Sequence, residues 1–393
     1  MDINTSENKM RHQVKFHGSG GEYFSIWLVN ALLTAVTLGI YSAWATVRRR
    51  RYFYGNTEIN GDRFDYHAQP MQILKGRLLV IGGIILFYAL MALSPTLGTL
   101  ILIALMGLAP WLIIRSWRYN ALMSSYRGVR FNYHCKTGRA YWVLLFCPIL
   151  LVLGAYLGLL IAAIIAAMTH SPVFITLLIL AIVTPVLVAV KGIIAMMQND
   201  LYVNNMFFGE SSFRAELAKG PFIKFFLISL LIFIPFPIAG ISLISPFLFS
   251  LLRMDVMGWV PENVAGMMLM NNAFNLIMVL AVTALGVLVS SSYLAVAQRN
   301  YLFNQTQING DIKLRSTMQT MSYMWLLITN SLITVFSLGW ATPVAEVRHA
   351  RYLANATVIE GDLSLLNVHA HQDSANTAVA EEAVNAFDLN VGI

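Results

Sequence analysis

Charge is scarce in this 393-residue chain. Asp, Glu, Lys and Arg make up 11% of it, against 58% hydrophobic residues and a mean hydropathy of +0.66. Soluble domains carry roughly 25% charged and about 45–50% apolar residues. No soluble core covers that much apolar surface, so the composition points to a multi-pass membrane protein. Cysteine is equally sparse. Cys135 and Cys147 form no CxxC and no Cys/His ligand spacing, which speaks against a disulfide framework or a structural zinc. The apolar runs hold no Asp, Glu or His. Proton- and sodium-coupled carriers of polar solutes need such groups, or unwound helices with polar ligands, so that class is disfavoured. There is no HExxH, no paired intramembrane carboxylate and no nucleophile-elbow serine, and Gly209-Glu210-Ser211-Ser212 has no evident base. The expectation is a non-enzyme with no catalytic residue, metal or cofactor.

Long apolar stretches are plentiful. They are Phe24–Val47, Leu78–Leu93, Leu97–Ile114, Tyr141–Met168, Val173–Met197, Phe225–Leu252, Phe274–Ala297 and Tyr323–Ala345. A spanning helix needs about 20 residues. The second run is short, but Lys75 and Arg77 extend it by snorkelling. Pro235, Pro237 and Pro246 are expected to kink the sixth. The first run comes after a polar stretch and exceeds a signal core, so no cleavable signal peptide is expected.

The polar connections repeat. Tyr52/Gly61, Tyr119/Gly128, Tyr301/Gly310 and Tyr352/Gly361 share a spacing of nine, and Arg51, Arg118 and Arg351 precede three of the tyrosines. Tyr202 to Gly209 is a looser copy. Thr-x-Ile-x-Gly-Asp recurs at Thr57, Thr306 and Thr357. Asn60-Gly61 and Asn309-Gly310 between β-prone residues are type I′ hairpin signals. A two-residue turn sets Thr57 opposite Phe64 and Glu58 opposite Arg63. Leu314 and Leu365 fall one residue late, which hints at a bulge. The expected hairpins cover 52–66, 119–133, 202–213, 301–315 and 352–365. Lone hairpins are marginal in water, but neighbours pairing edge to edge would form one small sheet. Val14 and Phe16 alternate with polar residues in Gln13–His17, an additional candidate strand.

A second repeat is offset by 300 residues, matching Asn30/Asn330, Thr34/Thr334, Leu38/Leu338, Gly39/Gly339, Arg48/Arg348 and Tyr52/Tyr352 among others. If all eight runs span, these copies face opposite sides. If Phe24–Val47 and Tyr323–Ala345 instead dip and return near Thr37-Leu38-Gly39 and Ser337-Leu338-Gly339, six spans remain. All hairpins, both termini and 24 of the 26 Lys and Arg then share one side, leaving Lys191 and Arg253. An Arg at the bilayer centre costs roughly 2.5–3.5 kcal/mol, so the dipping arrangement is favoured, with the basic side cytoplasmic. Backbone that turns within the membrane needs protein cover.

Gly18-Ser19-Gly20-Gly21 precedes a helical pattern. With Arg48, Arg51, Arg348 and Arg351 it offers a site for an anionic lipid headgroup at Gly18 and Gly20; the competing readings are a flexible turn and plain topology determinants. Tyr66-His67, Tyr133-His134, His369 and His371 read as interfacial residues rather than metal ligands. Asn30/Asn330 and Thr34/Thr334 read as groups that satisfy the bend. The tail 364–393 reads as mobile, with a short amphipathic helix near Thr377–Leu389.

The run Phe16-His17-Gly18, Glu22-Tyr23-Phe24, and Thr37-Leu38-Gly39-Ile40-Tyr41-Ser42-Ala43-Trp44-Ala45, with the Arg-Tyr hairpin after it, resembles the YjgN-like family of bacterial inner-membrane proteins. Ala43 stands where relatives often carry Pro. The resemblance implies a bacterial inner membrane and brings no activity or assigned site.

The expected fold is therefore an all-α polytopic membrane domain over residues 1–363. It has six full spans, two dipping or spanning helical segments, and short cytoplasmic β-hairpins. The expected role is binding of membrane lipids, or of a protein partner through the basic hairpins, without nucleic acid. The alternative is a transporter or pore for a weakly polar or lipidic solute.

Overall fold

The computed structural model describes residues 10–168, 179–256, 270 and 272–365. The segment between the fourth and fifth apolar runs, His369, His371 and the helix expected near Thr377–Leu389 lie outside the described residues.

The chain is built from five units, each a strand, a helix pair and a strand. Unit one holds β1 (Arg11–Gln13) and β2 (Lys15–Phe16), broken only at Val14, then α1 (Gly20–Val36), α2 (Ser42–Gly55) and β3 (Thr57–Ile59). Unit two is β4 (Asp62–Tyr66), α3 (Pro70–Leu93), α4 (Pro95–Met123) and β5 (Ser124–Tyr126). Unit three opens with β6 (Val129–Tyr133) and α5 (Thr137–Tyr141), which runs through a π-helical turn, Trp142–Phe146, into α6 (Cys147–Ala167). It returns through a second π-turn, Ile179–Val183, α7 (Thr184–Val203) and β7 (Met206–Phe208). Unit four comprises β8 (Ser211–Ala215), α8 (Lys219–Phe233), α9 (Pro235–Val256), α10 (Ala273–Gln305) and β9 (Thr306–Ile308). Unit five is β10 (Ile312–Ser316), α11 (Thr320–Phe336), α12 (Thr342–Asn355) and β11 (Thr357–Glu360). The break between α8 and α9 falls at Pro235, whose missing N–H cannot continue the ladder.

Six helical stretches among the described residues are long and apolar enough to cross a bilayer: Pro70–Leu93, Pro95–Met123, Thr137–Ile165, Ala181–Val203, Lys219–Pro246 and Ala273–Gln305. The first and last apolar runs fold differently, each as two helices joined by a tight turn. Leu38 and Gly39 both have positive φ, as do Leu338 and Gly339. The N–H of Gly39 returns to the Thr34 carbonyl and that of Gly339 to Thr334, both at 2.8 Å, ending α1 and α11 in the same left-handed cap. The Thr37 hydroxyl and its counterpart Ser337 each accept the N–H four residues on, from Tyr41 and Ala341 at 2.9 Å. The bend falls where the glycines predicted it, because only Gly takes that φ without steric cost.

The hairpins join into one sheet of strand order β1-β11-β10-β9-β8-β7-β6-β5-β4-β3-β2, antiparallel throughout. Its two ends are β1 and β2, which are contiguous in the chain, so the sheet closes on itself. Val14 donates to the Thr357 carbonyl at 3.1 Å on one flank, and His17 donates to Asn56 at 2.9 Å on the other. A closed ring leaves no strand edge unpaired. The fold is mostly helical, as expected, and its short strands gather into a ring at one end of the helices.

Asn60 and Gly61 both have positive φ, as do Arg127 and Gly128, and Glu58 pairs with Arg63 as a two-residue type I′ turn requires. On its other side β3 pairs with β2, Thr57 with Phe16. In the fourth copy Ile308 pairs with Ile312, a connection one residue longer, which accounts for the displaced Leu314. The fifth copy corrects the expectation: 352–365 is no hairpin. After β11 the chain forms a 3₁₀ turn at Leu363–Leu365, and β1 takes the place of the missing return strand. The N-terminal strand is therefore the half-hairpin that completes the repeat.

Candidate functional site: an apolar chamber inside the strand ring

Period-2 alternation sends one face of every strand into the ring. The inward residues of the strands that open each unit are Phe16, Phe64, Phe131, Phe213 and Leu314; those of the closing strands are Ile59, Tyr126, Phe208, Ile308 and Ile359. These two layers of five surround a cavity of about 570 Å³. Phe53 and Tyr54 of α2, Arg299 and Phe303 of α10, and Ala350 and Leu353 of α12 cover it from the helix side. Protein interiors seldom leave voids larger than a water molecule, whereas ligand cavities run to about 300–1,000 Å³.

The wall is largely apolar and aromatic. Phe131 lies 4.9 Å from Phe208 and 6.4 Å from Phe64 between ring centroids, and Phe64 lies 5.0 Å from Tyr126. The Tyr126 hydroxyl is satisfied by donation to the Ile59 carbonyl at 2.8 Å, and burial pushes its phenol above the usual range. Among the described residues, Arg299 is the one charged side chain in the lining. It donates to the Thr357 hydroxyl at 2.9 Å and stacks over Phe303 at 4.2 Å, while its buried Nε has no partner.

At three of the five junctions the units are clamped together by the residue before the repeated tyrosine. Arg51 donates to the carbonyl of Ala68 at 3.2 Å, Asn300 to Met318 at 2.9 Å, and Arg351 to Gly18 at 2.8 Å. Each acceptor immediately precedes the N-cap of the next unit's first helix: Gln69, Gln319 and Ser19. The Arg351–Gly18 bond joins unit five to unit one. At the junction of units three and four Leu201 cannot donate, and Asn204 exchanges two bonds with Ala215 instead, at 2.7 and 3.0 Å.

The residues selected from sequence are thereby distributed. Gly18 lies beside Arg351, and an added Cβ there would fall 2.6 Å from the Phe16 ring and 2.9 Å from the Tyr52 hydroxyl. Gly20 packs on Val344. Arg48 donates to Asn30 at 3.4 Å and Tyr41 at 3.1 Å, and Arg348 to Thr329 at 2.9 Å, each within its own helical hairpin. Asn330 donates to the Ala345 carbonyl at 3.1 Å, so Asn30 and Asn330 both join the two arms of a hairpin. The two hairpins are neighbours, joined by Glu346, which accepts from Tyr23 at 2.9 Å and pairs with Arg49 at 3.2 Å. His67 bonds Ser125 at 2.7 Å, and His134 lies 5.6 Å from Phe207. Considered as separate hairpins, the repeats concealed the chamber; the recurring inward Ile and Phe positions were its signal.

The family model described as "Bacterial protein of unknown function (DUF898)" matches residues 11–386. The chain belongs to this family. It is 30% identical over 371 residues to the inner membrane protein YjgN of Salmonella typhimurium, covering 93% of both chains. Against YjgN of Escherichia coli K12 it is 29% identical over 383 residues, 95% of each. No solved structure matches it. With six apolar helices, this DUF898 chain is a multi-pass inner-membrane protein.

Proposed function

We propose that this protein is a non-catalytic lipid-binding protein whose six long helices span the inner membrane. In this reading its two short helical hairpins dip into the bilayer and return, and the strand ring faces the cytoplasm. The observation that carries the proposal is the apolar chamber, which sits where helices leave the membrane and is lined almost wholly by hydrocarbon and aromatic surface. An acyl chain is the ligand that such a wall holds best, because every CH₂ moved from water into it gains about 0.8 kcal/mol.

Support for the dipping hairpins comes from their tips. Leu38 is 95% and Leu338 89% exposed, with Val36 and Phe336 beside them. Apolar side chains of that size gain by entering hydrocarbon and lose by facing water. Arg48 stands six residues into α2, roughly 9 Å along the axis. With the turn added, the tip lies roughly half a hydrocarbon thickness from Arg48. That geometry suits return to the same side, which puts the cationic ends together as the positive-inside bias favours. The basic turns of the ring also offer a surface for an acidic protein partner.

Native mass spectrometry of the detergent-extracted protein tests the reading. A co-purifying acyl lipid in the wild type, lost when Phe213→Trp fills the chamber, is the expected result. An empty wild type, or equal occupancy in the variant, would overturn it. Flux of a solute through reconstituted vesicles, abolished by the same variant, would favour the transporter instead.

A further inference from the structure

Four of the five junctions in the ring carry a polar side-chain bond from one unit to the start of the next; between units two and three, where Trp117 packs on Tyr133 and Tyr202 at 5.6 and 5.1 Å, the equivalent bond is missing. Arg118 occupies the position held by Arg51 and Arg351 elsewhere, immediately before the repeated Tyr119. The equivalent acceptor is the carbonyl of Cys135, before the Lys136 N-cap. No hydrogen bond joins them among the described residues, and the buried Nε of Arg118 has no partner. In place of the clamp is an opening of about 710 Å³, lined by Trp111, Arg115, Arg118, Cys135, Lys136 and Arg139 among others, with no carboxylate in its wall. Arg139 pairs with Asp200 at 2.8 Å; Lys136 is exposed at the rim. Arg115 stacks over Trp111 at 5.2 Å. The incoming helix of this unit, and of no other among the described residues, carries a π-turn, Trp142–Phe146, a distortion that recurs at functional sites.

We propose that this gap is a binding site for the phosphate of an anionic phospholipid headgroup, with Arg118 and Lys136 as its principal donors. The depth fits a lipid. The apolar stretch of α4 ends at Ile114, so Arg115 and Arg118 stand where hydrocarbon gives way to headgroups, and Trp111 is the aromatic residue of that boundary. Basic pockets between helices on the cytoplasmic face bind such headgroups, and a phosphate supplies the acceptors that the missing carbonyl contact leaves unused. A buried guanidinium nitrogen without an acceptor is costly. The broken clamp is therefore explained if a ligand completes it. The site is separate from the strand-ring chamber and stands or falls independently of it.

The test is titration of delipidated protein with phosphatidylglycerol and with phosphatidylcholine, counting bound lipid by native mass spectrometry. We expect selective phosphatidylglycerol binding, weakened about ten- to a hundredfold in Arg118→Gln and in Lys136→Gln. Removing a cation from the outside of the ring, Arg63→Gln, is expected to leave binding unchanged. Lys136 is exposed, so its variant carries the test if Arg118→Gln fails to fold. Retention of inorganic phosphate lost in the same variants, with no lipid bound, would assign the anion site to a soluble phosphate. Equal binding of the two lipids, or wild-type affinity in both variants, would overturn the proposal. Filling the chamber with Phe213→Trp leaves this site intact, so the two results are separable.

Discussion

The Tyr52 hydroxyl lies 2.8 Å from the amide nitrogen of Ser19 and 2.9 Å from its carbonyl oxygen, accepting from one and donating to the other. Ser19 is the N-cap of α1, so the end of the outgoing helix ties down the start of the incoming one. Tyr352 repeats the arrangement on Gln319, at 3.3 and 3.1 Å, and Tyr301 accepts from the Ala218 N–H at 3.1 Å. Helix N-termini carry N–H groups with no intrahelical partner. In three of the five units the recurring tyrosine is a clamp that satisfies one of them.

Replacing that hydroxyl should therefore cost stability without altering shape. Tyr52→Phe and Tyr352→Phe each strand a backbone group near the interface, and each is expected to destabilise by about 1–3 kcal/mol. Thermal unfolding in detergent measures the loss. Tyr88→Phe, on an exposed helix surface, is expected to leave the transition where it was.

The turns of the two short helical hairpins depend on glycine. Gly39→Ala and Gly339→Ala force a Cβ into left-handed backbone, at about 1–2 kcal/mol each. We expect lowered melting temperatures in both. A nitroxide at Leu38 should be shielded from water-soluble relaxants yet reached by oxygen dissolved in hydrocarbon; access by the aqueous reagent would place that tip outside the bilayer.

Arg63→Cys and Ser364→Cys, both exposed, report the sidedness of the ring. A membrane-impermeant maleimide should label both from the same compartment. Labelling from opposite sides would refute the dipping arrangement.

Cys135 offers a pH readout. Burial pushes its thiol above the usual range, outweighing its hydrogen bond with Tyr133 and the nearby Arg139 charge, which act the other way. A raised pKa keeps the unreactive thiol form to higher pH. Alkylation of Cys135 should accelerate only above the pH at which a free cysteine peptide reacts. Bound phosphatidylglycerol beside it should delay the reaction further.

Arg299 faces the chamber with a guanidinium nitrogen that no described residue satisfies. Removing a poorly compensated buried cation is often neutral or stabilising. Arg299→Met is expected to hold or raise the melting temperature of delipidated protein. Loss of several degrees would show that its bond to Thr357 and its stacking on Phe303 outweigh the desolvation.

Much of the architecture was legible because its causes are local. Run length sets the span pattern, Leu38-Gly39 and Leu338-Gly339 set the bends, and Asn60-Gly61 sets the type I′ turn. The break at Pro235 comes from its missing N–H. The fifth hairpin misled because Thr357 to Asp362 repeats the same local motif. The path of the chain after Gly361 is decided by β1, supplied from the other end of the molecule. The chamber was hidden for a related reason. Phe16, Phe64, Phe131, Phe213 and Leu314 each read as one inward strand residue, and no single hairpin reveals that five such residues face one another.

The amino-acid sequence by itself determined the hydrophobic lengths, the chain reversals and the five-fold recurrence, since each is fixed by residues within a few positions of one another. Only the tertiary structure decided that the recurrence closes into a ring, that Arg351 meets Gly18 across it, and that Arg118 alone among the repeated arginines is left without its acceptor. Closure depends on how pairing angles and registers accumulate around the whole circle of strands. That sum is a property of the assembled backbone and of no one segment.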